Sequence, residues 1–301
     1  SASSTLALAE IPPGEQWQDI EVAVAQLIPW EPDYQPDVRF TVRSAQAGTL
    51  RVALRTADKA FNFTPEVILE EHEVALRPGE QTVQLRFTAA VPDARYAFLT
   101  FYGDAGIEIQ TSDLRCTGLL TVRQKGDPKV AKSNEQVPPE GIGIDRFEFW
   151  TPERRPGGRN LALAFDPPLE RFASPQYLTN GYERPILRSN AWIAELQDTS
   201  PSLTVTWPEP QTLREITLCF DTDFDHAMET AQWGHPERVM PTCVRDFSVE
   251  SAEGEVLAAV SDNHQTRRTL CFEAVSTKKL ILKLKHPSRN APAAIFGLYV
   301  K

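Results

Sequence analysis

Short segments in which apolar and polar residues alternate recur through the chain, and they constrain its fold more than any other feature. Clear examples are residues 38–43 (VRFTVR), 50–55 (LRVALR) and 82–87 (TVQLRF). Alternation with a period of two sends one side chain into a core and the next into water, as in an antiparallel β-sheet. The chain also has 24 prolines against 15 glycines, and such frequent proline favours short strands over long helices. These patterns predict an all-β protein.

The strand pattern is interrupted by a polar and charged segment that runs from about residue 124 to 139, a composition typical of a linker. Alternation resumes afterwards, for example at residues 203–207 (LTVTW). The 301 residues of the chain are enough for two cores of ordinary size. We therefore predict two antiparallel, jelly-roll-like β-sandwich domains, at residues 1–125 and 146–301, joined by a linker at 126–145.

Charge and hydropathy argue against several functional classes. The formal net charge is −10, whereas nucleic-acid binding requires clustered Lys and Arg. No apolar run approaches the ~18 residues of a transmembrane helix, so no membrane interaction is predicted. The cysteines, which are Cys116, Cys219, Cys243 and Cys271, form no CxxC pair. This spacing argues against a metal site. Cys219 and Cys271 lie in apolar, strand-like segments and are interpreted as buried thiols rather than a disulfide, which favours a reducing compartment such as the cytoplasm.

Sequence motifs of enzymes are absent or incomplete. Residues 141–146 (GIGIDR) begin like a dinucleotide-binding fingerprint, but they lack its third glycine and the helix that should follow. A turn that leads into a strand is the better interpretation. The sequence contains no phosphate-binding loop, no nucleophile elbow and no zinc-protease motif. No catalytic residue is therefore predicted, and we expect the chain to bind no flavin and to catalyse no reaction alone.

Three acidic residues at alternate positions, Asp221, Asp223 and Asp225, form a candidate metal site. Hard cations such as calcium prefer several oxygen ligands. The EF-hand pattern fails, because His226 and Gln232 stand where that loop needs glycine and glutamate. The alternative is a solvated loop that follows a strand.

Polar loop residues of the second half are candidate ligand-binding residues. His264, Arg267 and Arg268 lie in one polar connection, and Arg184 lies in another. Guanidinium groups donate forked hydrogen bonds to carboxylates or to paired hydroxyls. The alternative is that these groups satisfy each other and only hold the loops.

Two aromatic residues in predicted loops, Tyr182 and Trp233, are candidates to stack on the apolar face of a sugar ring. Trp192 lies in the alternating segment 190–194 (NAWIA). That alternation predicts a core position for Trp192 instead.

Three segments in this order, residues 178–185 (LTNGYERP), 190–194 and 203–216 (LTVTWPEPQTLREI), resemble the discoidin, or coagulation factor 5/8 type C, family. The resemblance implies a galactose-binding-like jelly roll, a fold that is widespread among carbohydrate-binding modules. It also implies that loops 180–184, 221–226 and 263–268 meet at one end of the sandwich. The disulfide that usually joins the ends of this domain has no counterpart here.

A second resemblance, over about residues 40–300, is to the C-terminal region of bacterial FAD-dependent oxidoreductases. It rests on segments at 138–145 (PPEGIGID), 147–155 (FEFWTPERR), 220–225 (FDTDFD) and 243–246 (CVRD). It implies an upstream FAD-binding domain, and no flavin-binding residue falls within this sequence.

Three functions follow as predictions. In the first, the chain is a non-catalytic binding module that recognises a carbohydrate or similar polar ligand through loops of the second sandwich. In the second, it is an accessory region that packs on a flavin-dependent catalytic domain. In the third, it is a purely structural interaction protein. A groove lined by aromatic and polar residues would favour the first, and an exposed apolar face would favour the second.

Overall fold

The computed structural model describes residues 1–124, 150–153, 159–222 and 240–301. Within these ranges the chain forms twenty β-strands and one short 3₁₀ helix, which confirms the all-β prediction. Every pairing between two of these strands is antiparallel. The described part of the chain holds no helix that is long and apolar enough to cross a membrane. The predicted linker at 126–145 lies outside the described residues.

Two sheets share the first core. A seven-stranded sheet has the order β1-β13-β4-β9-β12, with β2 paired to β9 and β7 to β4, and a six-stranded sheet has the order β11-β10-β3-β8-β5-β6. The strands are β1 (Leu8–Ile11), β2 (Trp17–Asp19), β3 (Val24–Ile28), β4 (Asp37–Ser44), β5 (Gly48–Thr56), β6 (Val67–Leu76), β7 (Gly79–Arg86), β8 (Ala97–Gly103), β9 (Ile107–Ser112), β10 (Leu120–Gln124), β11 (Trp150–Glu153), β12 (Asn160–Leu161) and β13 (Leu163–Leu169).

The alternation in β4 shows how the sequence specifies this packing. Val38, Phe40 and Val42 are buried in the first core, while Arg39 and Arg43 face solvent. Strand β3 breaks the rule, because all five of its residues are buried. A second apolar layer, which includes Phe98 and Trp150, covers the outer face of the sheet around β3. Burial on both faces therefore explains the near-continuous apolar run in this strand.

Strands β11, β12 and β13, which the sequence analysis assigned to the second sandwich, complete the sheets of the first half. Strand β11 pairs with β10, β12 pairs with β9, and β13 lies between β1 and β4. Leu163 and Phe165 of β13 belong to the first core. The predicted start of the second sandwich at residue 146 therefore placed these strands with the wrong sheets. The division into two domains itself stays a prediction.

The second half contains a five-stranded sheet with the order β17-β16-β18-β15-β20 and a two-stranded sheet of β14 and β19. The 3₁₀ helix, at Pro175–Thr179, precedes them. The strands are β14 (Trp192–Ile193), β15 (Ser202–Cys219), β16 (Phe247–Ser251), β17 (Val256–Val260), β18 (Arg267–Leu284), β19 (Ala294–Ile295) and β20 (Gly297–Val300). Strands β15 and β18, each 18 residues long, pair along most of their length.

The two-stranded sheet of β14 and β19 contributes side chains to both cores. Trp192 of β14 lies opposite Ile295 of β19, and both side chains belong to the second core. Ile193 lies opposite Ala294, and both belong to the first core. Since neighbouring residues of a strand face opposite ways, one pair of short strands supplies apolar surface to both halves. The prediction that Trp192 is a core residue is confirmed, because its side chain is fully buried.

The N-terminal segment crosses from the first sheets to the second half. Ala2 forms a β-bridge with Leu203, and the hydroxyls of Ser3 and Ser4 both donate to the carboxylate of Asp198. The hydrogen bond from Ser3 is the main cause that holds the pKa of Asp198 below its ordinary value, with a smaller contribution from Ser4. The segment is therefore held by a charged acceptor as well as by backbone pairing.

This contact predicts a pH-dependent effect of the double substitution Ser3→Ala/Ser4→Ala. A carboxyl whose folded pKa is lowered stabilises the fold above its unfolded pKa, and that contribution is lost as the pH falls through the folded value. We expect the variant to lose about 1 kcal/mol of unfolding free energy at pH 7, a figure reduced for solvent exposure. The difference from wild type should shrink below pH 3.8, the ordinary pKa of the group. Urea unfolding measured at several pH values tests this.

Asp198→Asn provides the control. With the ionisable group removed, the cost of the two serine substitutions should no longer depend on pH. A cost that stays constant with pH in the wild-type background would contradict the assignment.

Candidate functional site

The loops that the sequence analysis expected to meet do so where the structure describes them. Thr222, at the start of loop 221–226, shares a hydrogen bond of 2.5 Å with Thr266. The Arg267 guanidinium at the start of β18 donates through Nη1 to the Glu183 carboxylate at 2.8 Å. Glu183 follows the 3₁₀ helix in a turn closed by Asn180, whose side-chain oxygen accepts from the Tyr182 amide at 2.9 Å. Gly181 supplies the positive φ of +85° that the turn requires. The predicted approach of loops 180–184 and 263–268 is therefore present.

Tyr299 completes this arrangement from strand β20. The Arg267 guanidinium carbon lies 5.5 Å from the centre of the Tyr299 ring, within the range of a cation–π contact. Tyr182, in the neighbouring turn, is 49% exposed. Tyr182, Glu183, Arg267 and Tyr299 are called the seam site below. The name is chosen because Tyr299 packs partly against the first core, while its strand, β20, belongs to the five-stranded sheet of the second half.

The buried thiol of Cys219 lies next to the seam site. Burial raises the pKa of Cys219 to about 12, and the nearby Glu183 carboxylate adds to the shift. Burial, Cys219 and Glu183 also raise the pKa of Tyr299, against the opposing effect of Arg267. The thiol is therefore no nucleophile at neutral pH, and the Tyr299 hydroxyl keeps its proton. Chemically the seam site offers hydrogen-bond donors, an acceptor and aromatic surface.

Arg268 does not join Arg267, contrary to the sequence-based suggestion that both act on one ligand. Arg267 lies opposite Cys219, which belongs to the first core, and Arg268 lies opposite Leu218, which belongs to the second. Consecutive residues of a strand point to opposite faces of the sheet. The two guanidinium groups therefore cannot converge.

His264 belongs to a different group. Its Nε2 lies 3.3 Å from the Asp262 carboxylate, which also pairs with Arg245. Asn263 is buried and holds this loop by donating to the Val244 carbonyl at 3.0 Å. Sequence reasoning missed Arg245 as the partner of Asp262, because the two lie on different connections of the sheet.

Arg184 follows Glu183 of the seam site, and its backbone helps to hold the loop. Its carbonyl accepts a hydrogen bond from Asn190 at 3.2 Å, and its side chain is exposed. Sequence reasoning also missed Glu183 and Tyr299. Glu183 gave a signal, since it lies between Tyr182 and Arg184, which were both candidates. Tyr299 gave none, because its position next to Arg267 depends on strand pairing.

Asp221 is an interior residue rather than a surface ligand. Its carboxylate accepts a hydrogen bond from Thr117 of the first half at 2.7 Å, and its side chain is buried. Its carbonyl accepts from Thr242 at 3.3 Å. Asp223, Asp225 and Trp233 lie outside the described residues. Among the residues that the structure describes, no group of three or more His, Cys, Asp or Glu side chains could hold a metal ion, and calcium binding stays a prediction.

Comparison with known proteins gives similarities to solved structures alone. No protein-family model and no curated protein matches the chain. The family 32 carbohydrate-binding module of Streptococcus pneumoniae EndoD is 12% identical over 42% of this chain and 84% of that module, with a TM-score of 0.33. CpGH89CBM32-5 of Clostridium perfringens, solved in complex with GalNAc-beta-1,3-galactose, is 10% identical over 42% of this chain and 83% of that one, with a TM-score of 0.31.

A GH29 fucosidase from Ruminococcus gnavus in complex with fucose is 9% identical, with a TM-score of 0.31. The match covers 43% of this chain and 22% of the fucosidase. At these identities and TM-scores the similarities are too weak to assign a family or a ligand to this chain.

Proposed function

We propose that the chain is a non-catalytic module that binds a carbohydrate at the seam site. The observation that carries this proposal is the Glu183–Arg267 pair, in which the guanidinium lies over the ring of Tyr299. Tyr182, the residue before Glu183, is exposed. A planar acceptor, a planar donor and an aromatic surface thus lie together.

Each part of the seam site matches one feature of a sugar. The C–H face of the ring is apolar and stacks on an aromatic plane. Neighbouring hydroxyls both donate and accept, so one can donate to the Glu183 carboxylate while the next accepts from Arg267. The side chains of Arg267 and Glu183 are 57% and 35% exposed, which leaves their remaining hydrogen-bonding capacity open to a ligand.

The site is also held in place before any ligand arrives. Asn180 donates to the side-chain oxygen of Asn190 at 3.2 Å, and Asn190 donates to the carbonyls of Arg184 and Ile186. Asn190 is itself buried. A loop fixed in this way loses little conformational entropy on binding, which favours affinity.

Neighbouring arginines on β18 provide a matched test. Arg267→Gln should weaken glycan binding about 10- to 100-fold, because it removes a charged hydrogen bond of about 1.5–3 kcal/mol. Arg268→Gln makes the same chemical change on the opposite face of the strand and should leave binding unchanged. A glycan array with the wild-type protein identifies the sugar, and isothermal titration calorimetry then compares the variants.

Three outcomes would count against the proposal. They are no glycan binding by the wild-type protein, equal losses in the two variants, or an Arg267→Gln variant whose melting temperature falls together with its affinity. The last result would make Arg267 a structural residue.

The accessory region of a flavoenzyme stays an untested alternative. Ile68 and Tyr102, which are 48% and 45% exposed, lie on strands β6 and β8 of the six-stranded sheet. Exposed apolar residues scattered in this way are common on protein surfaces and do not by themselves form a docking patch.

A further inference from the structure

One asparagine of the chain is followed directly by a glycine, and this pair, Asn180–Gly181, lies in the turn that leads into the seam site. Glycine has no Cβ, so its backbone nitrogen is less shielded than that of any other residue. In an asparagine–glycine pair this nitrogen can attack the side-chain amide of the asparagine and close a succinimide ring. The turn is therefore a candidate for covalent change without any enzyme.

The attacking nitrogen in this turn is accessible. Asn180 and Gly181 are both exposed. Gly181 has a φ of +85°, and nothing lies within 4 Å of the position that a Cβ would take. Among the residues that the structure describes, no backbone carbonyl accepts the Gly181 amide hydrogen. Base can therefore remove this proton without first breaking a backbone hydrogen bond.

Two hydrogen bonds hold the Asn180 side chain away from the reaction. Its Nδ2 donates to the side-chain oxygen of Asn190 at 3.2 Å, and its Oδ1 accepts from the Tyr182 amide at 2.9 Å. The ψ of −6° at Asn180 also has to change before the Gly181 nitrogen reaches Cγ. Two neutral hydrogen bonds reduce the open population of such a turn only about 30-fold. The turn therefore slows the reaction without preventing it.

Loss of the Asn180 amide would disturb its contact with Asn190. The amide nitrogen of Asn190 donates to the carbonyls of Arg184 and Ile186, both at 3.2 Å. Asn190 is buried, and it cannot turn its nitrogen towards residue 180 without losing both of these bonds. A carboxylate at position 180 would therefore face the Asn190 oxygen, and two acceptors repel each other.

We propose that Asn180 is a site of spontaneous deamidation, which loosens the loop that carries Tyr182 and Glu183. The deprotonated Gly181 nitrogen forms a bond to Cγ of Asn180. The bond from Cγ to Nδ2 breaks, and the nitrogen leaves as ammonia after it takes a proton from water. One water molecule then opens the succinimide ring. Opening at one carbonyl gives aspartate, and opening at the other gives isoaspartate, which adds a methylene to the main chain of the turn.

Peptide mapping of the wild-type full chain by mass spectrometry tests the chemistry without any ligand. After incubation of the folded protein, the peptide that contains Asn180 should show conversion of amide to acid, with isoaspartate among the products. Conversion should be faster at mildly alkaline than at mildly acidic pH, because base removes the Gly181 proton. Asn62 is an internal control, since it is exposed but is followed by Phe63. The Cβ of Phe63 shields the nitrogen, so Asn62 should convert at least about tenfold more slowly.

Asn180→Asp tests the effect on the loop, and Asn62→Asp adds the same charge elsewhere. The Ile186 amide, which donates to the Arg188 carbonyl at 3.1 Å, reports on the loop in hydrogen-exchange NMR. Its exchange should become about fivefold faster in Asn180→Asp and stay unchanged in Asn62→Asp. Aged protein should also lose glycan affinity. That expectation alone rests on the proposed function, whereas conversion and exchange are measured without glycan, so the two proposals can fail separately.

The proposal is overturned if the folded protein keeps its amide at Asn180 under these conditions. It is also overturned if Asn62 converts equally fast, because Gly181 would then have no part in the reaction. Unchanged exchange of the Ile186 amide in a folded Asn180→Asp variant would contradict the loosening of the loop.

Discussion

Replacing Gly118 by alanine should lower the free energy of unfolding by about 2–5 kcal/mol. Gly118 has a φ of +88°, and an added Cβ would lie 2.9 Å from Cβ and 3.0 Å from Cα of Ser189. The positive φ costs an alanine about 1–2 kcal/mol, and forced overpacking costs a further 1–3 kcal/mol. Ser189 has little freedom to move, because it is fully buried and its hydroxyl donates to the Phe172 carbonyl. Chemical denaturation measures the loss.

Gly254 provides a control that separates the two costs. Its φ is +85°, but nothing lies within 4 Å of an added Cβ. Gly254→Ala should therefore show the backbone cost alone. Equal losses at the two positions would show that the contact between residues 118 and 189 is not tight.

Trp192→Ala should cost about 3–5 kcal/mol, the range for truncating a large buried aromatic residue. The side chain is fully buried in the second core, and the indole Nε1 donates to the Ser4 carbonyl at 2.9 Å. The substitution therefore opens a void and also removes one of the hydrogen bonds that hold the N-terminal segment. Denaturant unfolding monitored by far-UV circular dichroism measures the change in the free energy of unfolding, because this signal does not rely on tryptophan fluorescence.

Trp192→Phe divides that effect into its parts. It retains most of the aromatic volume and removes the indole donor, so the expected loss is about 1–2 kcal/mol. A loss below 1 kcal/mol for Trp192→Ala would show that the residue does not hold the second core together.

The alternation of apolar and polar residues predicted which segments form strands, but not which strands pair with each other. The pattern in β4 specifies which side chains are buried, because burial of one face follows from the period of two. The sequence of β13 (LAFDPPL) does not reveal that its neighbours are β1 and β4, since pairing depends on residues more than a hundred positions away. This is why β11, β12 and β13 were assigned to the second sandwich although they pair with strands of the first half.

At the candidate site, the resemblance to discoidin domains predicted that loops 180–184 and 263–268 meet. Arg268 was grouped with Arg267 because both were assigned to a polar connection, whereas β18 already begins at Arg267 and its period of two sends the two side chains to opposite faces. Tyr299 could not be recognised from sequence, because its role depends on the register that sets it beside Arg267 across β15. Asp221 read as a surface ligand because the Thr117 that binds it lies 104 residues away.

Strands β14 and β19 contribute side chains to both cores, and this limits which fragments of the protein can be produced separately. A fragment cut out to carry the seam site alone would expose the sides of Ile193, Ala294, Cys219 and Phe296 that now pack in the first core. Apolar surface of this kind promotes aggregation. A fragment used to test the proposed site should therefore keep the strands of the first half.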